Sequence, residues 1–195
     1  MTYKYHTIKK GTAVIVTLHG TGANMHDLDL LAEAIQPEAT IIGLEGDVNE
    51  HGMLRWFKRF SPGVFDEDDL FLRAKKLSSW LPELAKQEGF LLSDALFVGF
   101  SNGANMLAAL LQLYPGIIKK AALLHGQLPL DKQPVPSQKA TVFVSAGKTD
   151  RMIPYAQSEH LAKELQKAGI TVQFFAHPYG HTITEEEIVH IRDTF

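Results

Sequence analysis

A serine lies between two glycines in the G-F-S-N-G motif at 99–103. The apolar run 95–100 leads directly into Ser101, and an amphipathic run, 102–114, follows it. In a strand–turn–helix setting of this kind the serine is held in a strained turn with its hydroxyl exposed. The flanking glycines lack the Cβ atoms that would collide with strand and helix, and the helix N-terminus favours developing negative charge. Ser101 is therefore a candidate nucleophile; the alternative is a turn serine that caps a helix.

A serine hydroxyl attacks a substrate only when a base takes its proton, and that base is oriented by an acid. In proteins built around such a turn the order along the chain is serine, then acid, then histidine. Asp150 follows the apolar run 140–145, which places it just past a strand end. Asp131 is the rival, in a proline-rich loop. We predict that Asp150 is the acid; the alternative is a plain turn or cap residue.

The base is expected after the next strand, where three histidines are candidates. His177 lies at the strand end and His190 on the last helix, whereas His181 lies in the loop between them. A loop histidine can reach back over the sheet, so we predict His181. His177 and His181 are four residues apart, but Pro178 and Gly180 rule out a metal-binding helix between them. We therefore expect no metal site.

Catalysis by an activated serine also needs N–H donors for the tetrahedral oxyanion that develops. One donor is expected from the residue after the serine, Asn102, and the other from a loop after an early strand. The loop 19–22 (H-G-T-G) follows the apolar run 13–18 and suits that role, because its glycines let the backbone approach a substrate. We interpret His19 as a packed residue that shapes this loop.

Short apolar runs and amphipathic runs alternate along the chain and must position these residues. The apolar runs predict strands at 13–18, 39–44, 95–100, 120–124, 140–145 and 171–176, with an alternating edge strand at 3–8. The amphipathic runs predict helices at 26–35, 68–87, 102–114, 155–168 and 184–191. This order predicts an α/β fold with a mostly parallel sheet and helices on both faces, and a site at the carboxyl ends of the strands. The segment 45–68 is the least regular.

The composition further limits the classes of protein to which the chain can belong. The 195 residues suit one domain, 1–195, with a formal net charge of −3 and no cysteine. No basic block favours nucleic acid, and no apolar run approaches the roughly 20 residues of a membrane-spanning helix. The first residues lack the apolar core of a signal peptide, so a cytoplasmic protein is expected. The lack of cysteine excludes disulfides and thiolate chemistry.

The chain resembles the phospholipase/carboxylesterase family of α/β-hydrolases in four motifs: L-H-G-T-G at 18–22, G-F-S-N-G at 99–103, D-R-M-I-P at 150–154 and G-H at 180–181. The resemblance covers nearly the whole length. It implies a fold without a large lid domain, cleavage of esters or thioesters with small to medium acyl groups, and no cofactor. It also implies the nucleophile Ser101, the acid Asp150, the base His181, and oxyanion donors at Thr21 and Asn102.

The substrate cleft is predicted less specifically. The resemblance implies that 52–57 (G-M-L-R-W-F) lines one wall, and we expect substrate-binding residues at Gly20, Gly22, Met53, Trp56, Phe57, Phe60 and His125. The alternatives are that Trp56 and Phe57 only pack the loop, and that His125 supports the predicted Ser101–Asp150–His181 group or is a capped strand-end histidine. The runs 49–53 and 63–68 look closest to bacterial family members associated with quinone and hydroquinone stress.

The resulting prediction is a serine carboxylesterase that acts on a small-molecule ester through an acyl-enzyme. Alternatives on the same residues are a lysophospholipase, an acyl-protein thioesterase, and a lyase or perhydrolase. An alternative of another class is a hydrolase-like protein that binds a small ligand without turnover. No nucleic-acid or membrane partner is expected, and a homodimer is left open.

Overall fold

The computed structural model describes residues 2–61 and 63–195. Its strands are β1 (Tyr5–Ile8), β2 (Val14–Leu18), β3 (Thr40–Leu44), β4 (Val48–Glu50), β5 (Met53–Arg55), β6 (Arg59–Ser61), β7 (Val64–Phe65), β8 (Leu96–Phe100), β9 (Lys120–Leu124), β10 (Thr141–Gly147) and β11 (Thr171–His177). Its helices are α1 (Asp29–Ile35), α2 (Glu67–Glu88), α3 (Asn102–Leu113), α4 (Tyr155–Lys167) and α5 (Glu185–Thr194). All the predicted strands and helices are present, although α1 begins three residues later than predicted.

The central sheet has seven strands in the order β1-β3-β2-β8-β9-β10-β11. Only β1 runs antiparallel to its neighbour, and the other pairs are parallel. The predicted α/β fold with a mostly parallel sheet is therefore confirmed. The register aligns Phe100 with Leu124 and Leu124 with Ser145, so the loops after β8, β9 and β10 leave the sheet at one edge.

Helices cover both faces of the sheet, as predicted. One apolar core includes side chains of α2, α3 and α4, and a second core on the other face includes α1 and α5. The longest helix, α2, begins at an Asp66 side chain that accepts a hydrogen bond from the Asp69 N–H, and ends at Gly89 in the left-handed conformation. Within the described residues, none of these helices has the length and apolarity needed to cross a membrane.

The irregular segment 45–68 contains two small hairpins that the sequence pattern did not predict. β4 pairs with β5 and β6 pairs with β7, each as a two-stranded antiparallel sheet apart from the central one. Strands of two or three residues are too short to show an alternating pattern. The first hairpin lies against the loop after β2, where the Gly22 N–H donates a hydrogen bond to the Leu54 carbonyl.

Helix α3 approaches β2 closely at Gly103. A Cβ atom at this position would lie 2.0 Å from the Leu18 carbonyl oxygen and 2.8 Å from that of His19. Backbone atoms cannot move aside as a flexible side chain can, so only glycine allows the helix to pack here. The same contact fixes the start of α3, and thus Ser101, against the loop after β2.

We predict that Gly103→Ala lowers the free energy of unfolding by about 3 kcal/mol, because the added methyl must displace strand or helix. Urea titration of the purified proteins measures the change. Gly180→Ala is the matched control, since its Cβ would have Thr149 O at 3.8 Å as its nearest neighbour. Equal stability of the two variants would contradict the close packing.

Candidate active site

Ser101 has a strained backbone between β8 and α3. Its φ is 53° and its ψ is −113°, a conformation that residues with a side chain rarely adopt. The Ser101 N–H donates to the Leu124 carbonyl at 2.8 Å, and its carbonyl accepts from the Asn105 N–H at 2.9 Å. These bonds hold the turn in place against the strain, with 9% of the residue exposed. The geometry presents the hydroxyl at the carboxyl edge of the sheet.

Asp150 and His181 are joined by a short hydrogen bond. The His181 Nδ1–H donates to Asp150 Oδ2 at 2.6 Å. The loop between β10 and α4 carries Asp150, and the loop after β11 carries His181. The two loops are also tied together through their backbones, because the Thr149 N–H donates to the Tyr179 carbonyl at 3.2 Å. The centroid of the His181 imidazole lies 4.9 Å from that of the Phe100 ring. Phe100 directly precedes Ser101 in the chain, so His181 lies close to the candidate nucleophile.

The Asp150 carboxylate is ionised and oriented by several donors. Oδ1 accepts the backbone N–H groups of Met152 at 2.8 Å and Ile153 at 3.0 Å. Oδ2 accepts from His181 and also from His125 Nδ1 at 3.1 Å. Burial raises the pKa of Asp150, but the hydrogen bonds from Ile153, His181, His125 and Met152 outweigh it and lower the pKa below its usual value.

Behind Asp150 lies a buried polar network of His125, His177 and Glu187. Glu187 Oε1 lies 3.3 Å from His125 Nε2, and Oε2 lies 3.5 Å from His177 Nε2. The two histidine Nε2 atoms are 3.2 Å apart. Because the Tyr179 N–H donates to His177 Nδ1, the proton of a neutral His177 is on Nε2 and points into the network. None of these three side chains is exposed to solvent.

Electrostatics favour a charged His125 between two carboxylates. Burial lowers the pKa of His125, but its hydrogen bonds and charge interactions with Glu187 and Asp150 outweigh that effect and raise it. Burial also raises the pKa of Glu187, whereas the close His125 imidazole and the hydrogen bond from the Thr184 N–H lower it overall. His125 has a φ of 50°, so its backbone is strained as that of Ser101 is. The network therefore places His125 between two carboxylates, directly behind Asp150.

The two candidate oxyanion donors, Thr21 and Asn102, are held by the segment that follows β4. Arg55 Nη1 donates to Thr21 Oγ1 at 2.9 Å, and the Trp56 N–H donates to Asn102 Oδ1 at 2.8 Å. The Trp56 indole N–H donates to the His19 carbonyl at 2.9 Å. Among residues 2–61 and 63–195, the backbone N–H groups of Thr21 and Asn102 donate to no protein acceptor. Both are therefore available to a ligand.

His19 shapes the loop that carries Thr21, as its sequence position suggested. Its Nδ1–H donates to the Gly20 carbonyl at 2.6 Å, and its Nε2 accepts from the Gly46 N–H at 3.0 Å. Both ring nitrogens are used, and burial lowers the pKa of the imidazole despite the opposing Gly20 hydrogen bond. His19 thus has a structural role, because both of its ring nitrogens are bonded to backbone groups of the loops it joins.

Two cavities meet at Ser101. The histidine-side cavity, of about 510 Å³, is lined by His181, Phe100, Leu28 and Ile183 among others. The arginine-side cavity, of about 320 Å³, is lined by Arg55, Arg59, Arg151 and Phe65 among others. Thr21, Ser101 and Met152 line both cavities. A substrate bound at Ser101 can therefore place its two halves in different surroundings.

Three residues that were expected in the cleft wall lie elsewhere, so the prediction is wrong for them. Trp56, Phe57 and His125 are fully buried and line neither cavity. Trp56 and Phe57 pack the segment onto the core, which is the alternative that the sequence left open. His125 contacts Asp150 from behind, because its strained backbone turns the imidazole into the protein interior.

The other predicted wall residues lie in different places relative to the two cavities. Gly20 lines the histidine-side cavity. Gly22 has a φ of 82°, and the Met53 side chain, 42% exposed, lies over it. Phe60 is 75% exposed and lines neither cavity. Of the predicted wall, Gly20 lines a cavity at Ser101, and Met53 contacts Gly22, the residue after Thr21.

The rival acid and bases do not reach Ser101. Asp131 is exposed, with His160 at 4.0 Å as its partner. His190 stacks on Phe175 at 4.3 Å between ring centroids, and His177 is buried in the network. Of the three candidate histidines, only His181 shares a cavity with Ser101.

Several side chains could in principle hold a metal ion. In the described part of the chain these are the sets His125–His177–Glu187, His125–Asp150–His181 and His6–His26–Asp29. In the first two sets the same nitrogen and oxygen atoms are already engaged with one another, as described above. In the third, His6 Nε2 lies 2.9 Å from Asp29 Oδ1 and 3.0 Å from the Met25 carbonyl.

Comparison with known proteins shows where this arrangement belongs. The family model described as "Phospholipase/Carboxylesterase" matches residues 5–195. The chain belongs to this phospholipase/carboxylesterase family. It is accordingly a hydrolase of the carboxylesterase class, as its motifs predicted.

Individual proteins match this chain over most of their length. The putative hydrolase MhqD of Bacillus subtilis (strain 168) is 38% identical over 193 residues, which cover 97% of this chain and 96% of MhqD. The Bacillus cereus carboxylesterase superposes with a TM-score of 0.94 at 35% identity, over 98% of this chain and 92% of the other. A carboxylesterase from Mesorhizobium loti has a TM-score of 0.89 at 29% identity, over 98% and 93%.

Sequence reasoning missed Glu187 as part of this family member's site. The sequence did show Thr184 followed by three glutamates, and the structure has a capping box between Thr184 and Glu187. Glu187 lies four residues before the buried Ile191, so helical spacing puts it on the inward face. The spacing between Glu187 and Ile191 was therefore the sequence signal that could have identified Glu187 as a buried residue.

We predict that Glu187→Gln destabilises the protein in a pH-dependent way. A lowered Glu187 pKa contributes stability above its unfolded value, and this is lost as the pH falls through the folded value. A raised His125 pKa contributes stability below its unfolded value, and this is lost as the pH rises through the folded value. The variant should therefore lose most, about 3 kcal/mol, between about pH 5 and 6.5. Urea titrations over a pH series measure this.

Glu186→Gln, in the same turn but exposed, is the matched control and should show a small, flat difference. Glutamine can still cap the helix at residue 187, so the pH dependence isolates the lost charge. A difference for Glu187→Gln that does not vary with pH would contradict a charged buried network.

Proposed function

We propose that this chain is a serine carboxylesterase that hydrolyses small to medium carboxylic esters through an acyl-enzyme on Ser101. The observation that carries the proposal is the short His181–Asp150 hydrogen bond beside a serine held at a φ of 53°. Membership of the phospholipase/carboxylesterase family supports the same chemistry. A cytoplasmic location and a homodimer remain predictions from the sequence.

In the first half-reaction the Ser101 Oγ attacks the ester carbonyl while His181 Nε2 takes its proton. Asp150 keeps the proton of His181 on Nδ1, so that Nε2 is the free base, and stabilises the imidazolium that forms. The tetrahedral intermediate then expels the alcohol, which receives its proton from His181 Nε2. The acyl group is left on Ser101 as an ester.

In the second half-reaction water attacks the acyl-enzyme. His181 Nε2 takes a proton from the water and returns it to the Ser101 Oγ as the carboxylic acid leaves. In both halves the oxyanion accepts hydrogen bonds from the backbone N–H groups of Thr21 and Asn102. Each such donor typically lowers the barrier by about 2.7–4 kcal/mol.

The alternatives differ in what the structure supplies for them. A lysophospholipase or acyl-protein thioesterase needs a long apolar channel, whereas the two cavities here are about 320 and 510 Å³ and three arginines line the smaller one. A non-catalytic binding protein would gain nothing from a strained serine beside an oriented histidine. A lyase or perhydrolase uses the same residues, and substrate assays distinguish it from an esterase.

Ser101→Ala should abolish turnover of p-nitrophenyl butyrate, because the nucleophile is lost, with kcat reduced on the order of 10⁶-fold. His181→Ala should be nearly as damaging, and the double variant no worse, because the two residues act as a unit. Initial rates of the purified variants, checked for folding by circular dichroism, test this.

His190→Ala is the control, since His190 stacks on Phe175 away from Ser101. It should retain most of the activity. A folded Ser101→Ala that keeps more than a few percent of wild-type kcat/KM would refute the nucleophile. A folded His190→Ala without activity would refute the choice of base.

The cavity dimensions predict a short-chain optimum in a series of p-nitrophenyl esters. kcat/KM should rise over the first few acyl carbons, since a fitting methylene contributes about 1–3 kcal/mol, and fall once the cavity is full. A profile that climbs steadily to palmitoyl esters would point to the lysophospholipase or thioesterase alternative.

A further inference from the structure

The arginine-side cavity is electropositive. Three arginines, Arg55, Arg59 and Arg151, line it together with Ser101, and no aspartate or glutamate does. The remaining lining groups that carry polar side chains are neutral, such as Asn105 and Gln127. A cavity with one sign of charge and apolar walls concentrates the field on a ligand of opposite charge.

Nearby carboxylates do not balance these three charges. Glu50 Oε2 lies 3.4 Å from Arg55 Nε and 3.8 Å from Arg59 Nε, so one carboxylate serves two guanidinium groups. Within the described residues, Arg151 forms no ion pair with any carboxylate. Glu50 is thus the carboxylate paired with these guanidinium groups, and it is shared by two of the three.

The Arg55 side chain is positioned in advance, whereas Arg151 is placed at the cavity through its backbone. Arg55 is only 2% exposed, and its donors to Phe57 O at 3.2 Å and Thr21 Oγ1 at 2.9 Å fix its guanidinium beside a candidate oxyanion donor. Arg151 follows Asp150 in a turn that two backbone N–H donors hold, at 2.8 and 3.0 Å from Asp150 Oδ1. Pre-organised guanidinium groups bind carboxylates well, because the planar fork matches the carboxylate oxygens.

The position of His181 tells which half of an ester enters this cavity. His181 Nε2 must protonate the leaving alcohol, so the alcohol lies on the side that His181 lines, in the histidine-side cavity. That cavity contains Leu28, Phe100 and Ile183 and one charged side chain, the acidic Asp27. It suits an apolar alcohol and disfavours an anionic one. The acyl group then occupies the arginine-side cavity.

We propose that the arginine-side cavity binds a carboxylate on the acyl group, so that the substrates are half-esters of short dicarboxylic acids with an apolar alcohol. The inference rests on the proposed esterase activity and names its substrate class. Arg55 and Arg151 hold the distal carboxylate while Ser101 attacks the ester carbonyl at the other end.

The test compares matched pairs of substrates on the intact protein. Mono-p-nitrophenyl adipate carries the charge on the acyl side, and its neutral isostere has a methyl ketone in place of the carboxylate. A second pair, 4-carboxyphenyl and 4-acetylphenyl hexanoate, carries the charge on the leaving side. We expect kcat/KM to favour the charged adipate about tenfold at low salt, with a smaller preference at 0.5 M NaCl because the cavity is partly open. The leaving-side charge should bring no gain.

The Arg151→Gln variant tests whether the arginine-side cavity causes the preference for a charged acyl group. Arg151 is exposed, so its replacement does not disturb the core. The charged-to-neutral kcat/KM ratio should fall several-fold in this variant. Lys86→Gln removes the same charge from the last turn of α2, beside a cavity lined by Thr12 and Asp94 at the amino-terminal edge of the sheet, and should leave the ratio unchanged.

The outcomes separate the two levels of the proposal. Hydrolysis of neither adipate ester nor hexanoate ester would mean that the esterase proposal fails. Hydrolysis of the neutral esters without preference for the charged adipate would overturn the inference alone. An equal gain from the leaving-side carboxylate, or an equal loss of the ratio in Lys86→Gln, would also overturn it, because the effect would then be the general charge of the protein.

Discussion

The Asp150 carboxylate is the group on which the arrangement depends. Its Oδ1 accepts two backbone N–H groups and its Oδ2 accepts two histidines, one facing Ser101 and one facing the interior. A buried carboxylate is unfavourable unless donors satisfy it, and here they come from three loops at the carboxyl edge of the sheet. The carboxylate therefore joins β9, the β10–α4 loop and the β11–α5 loop, and sets where His181 lies.

A second constraint comes from the segment after β4. It contacts Thr21 through Arg55 and Asn102 through Trp56, so one short stretch holds both candidate oxyanion donors. Arg55 also lines the arginine-side cavity. The same residue thus orders the candidate oxyanion site and contributes charge where the acyl group is proposed to bind. Positioning of the reacting carbonyl and selection of the acyl group are in this way physically coupled.

The sequence predicted the fold well because continuous apolar runs and glycine boundaries are strong local signals. It also indicated Ser101, Asp150 and His181, since each follows a strand that ends at the same edge. It was harder to predict from the sequence which single aromatic residues are buried. Trp56 and Phe57 occur in a segment without clear periodicity, and whether such side chains face a cleft or the core is decided by tertiary packing. The partnership of His125 with Glu187 joins residues 62 positions apart, a pairing that no local pattern encodes.

The central claim is that the His181–Asp150 pair activates Ser101. Its most direct measurement is the rate and position of covalent labelling by a fluorophosphonate, read by mass spectrometry of the digested protein. The account predicts one adduct, on Ser101, with a labelling rate that falls by orders of magnitude in His181→Ala. Labelling of another residue, or an unchanged rate on Ser101 in folded His181→Ala, would contradict it.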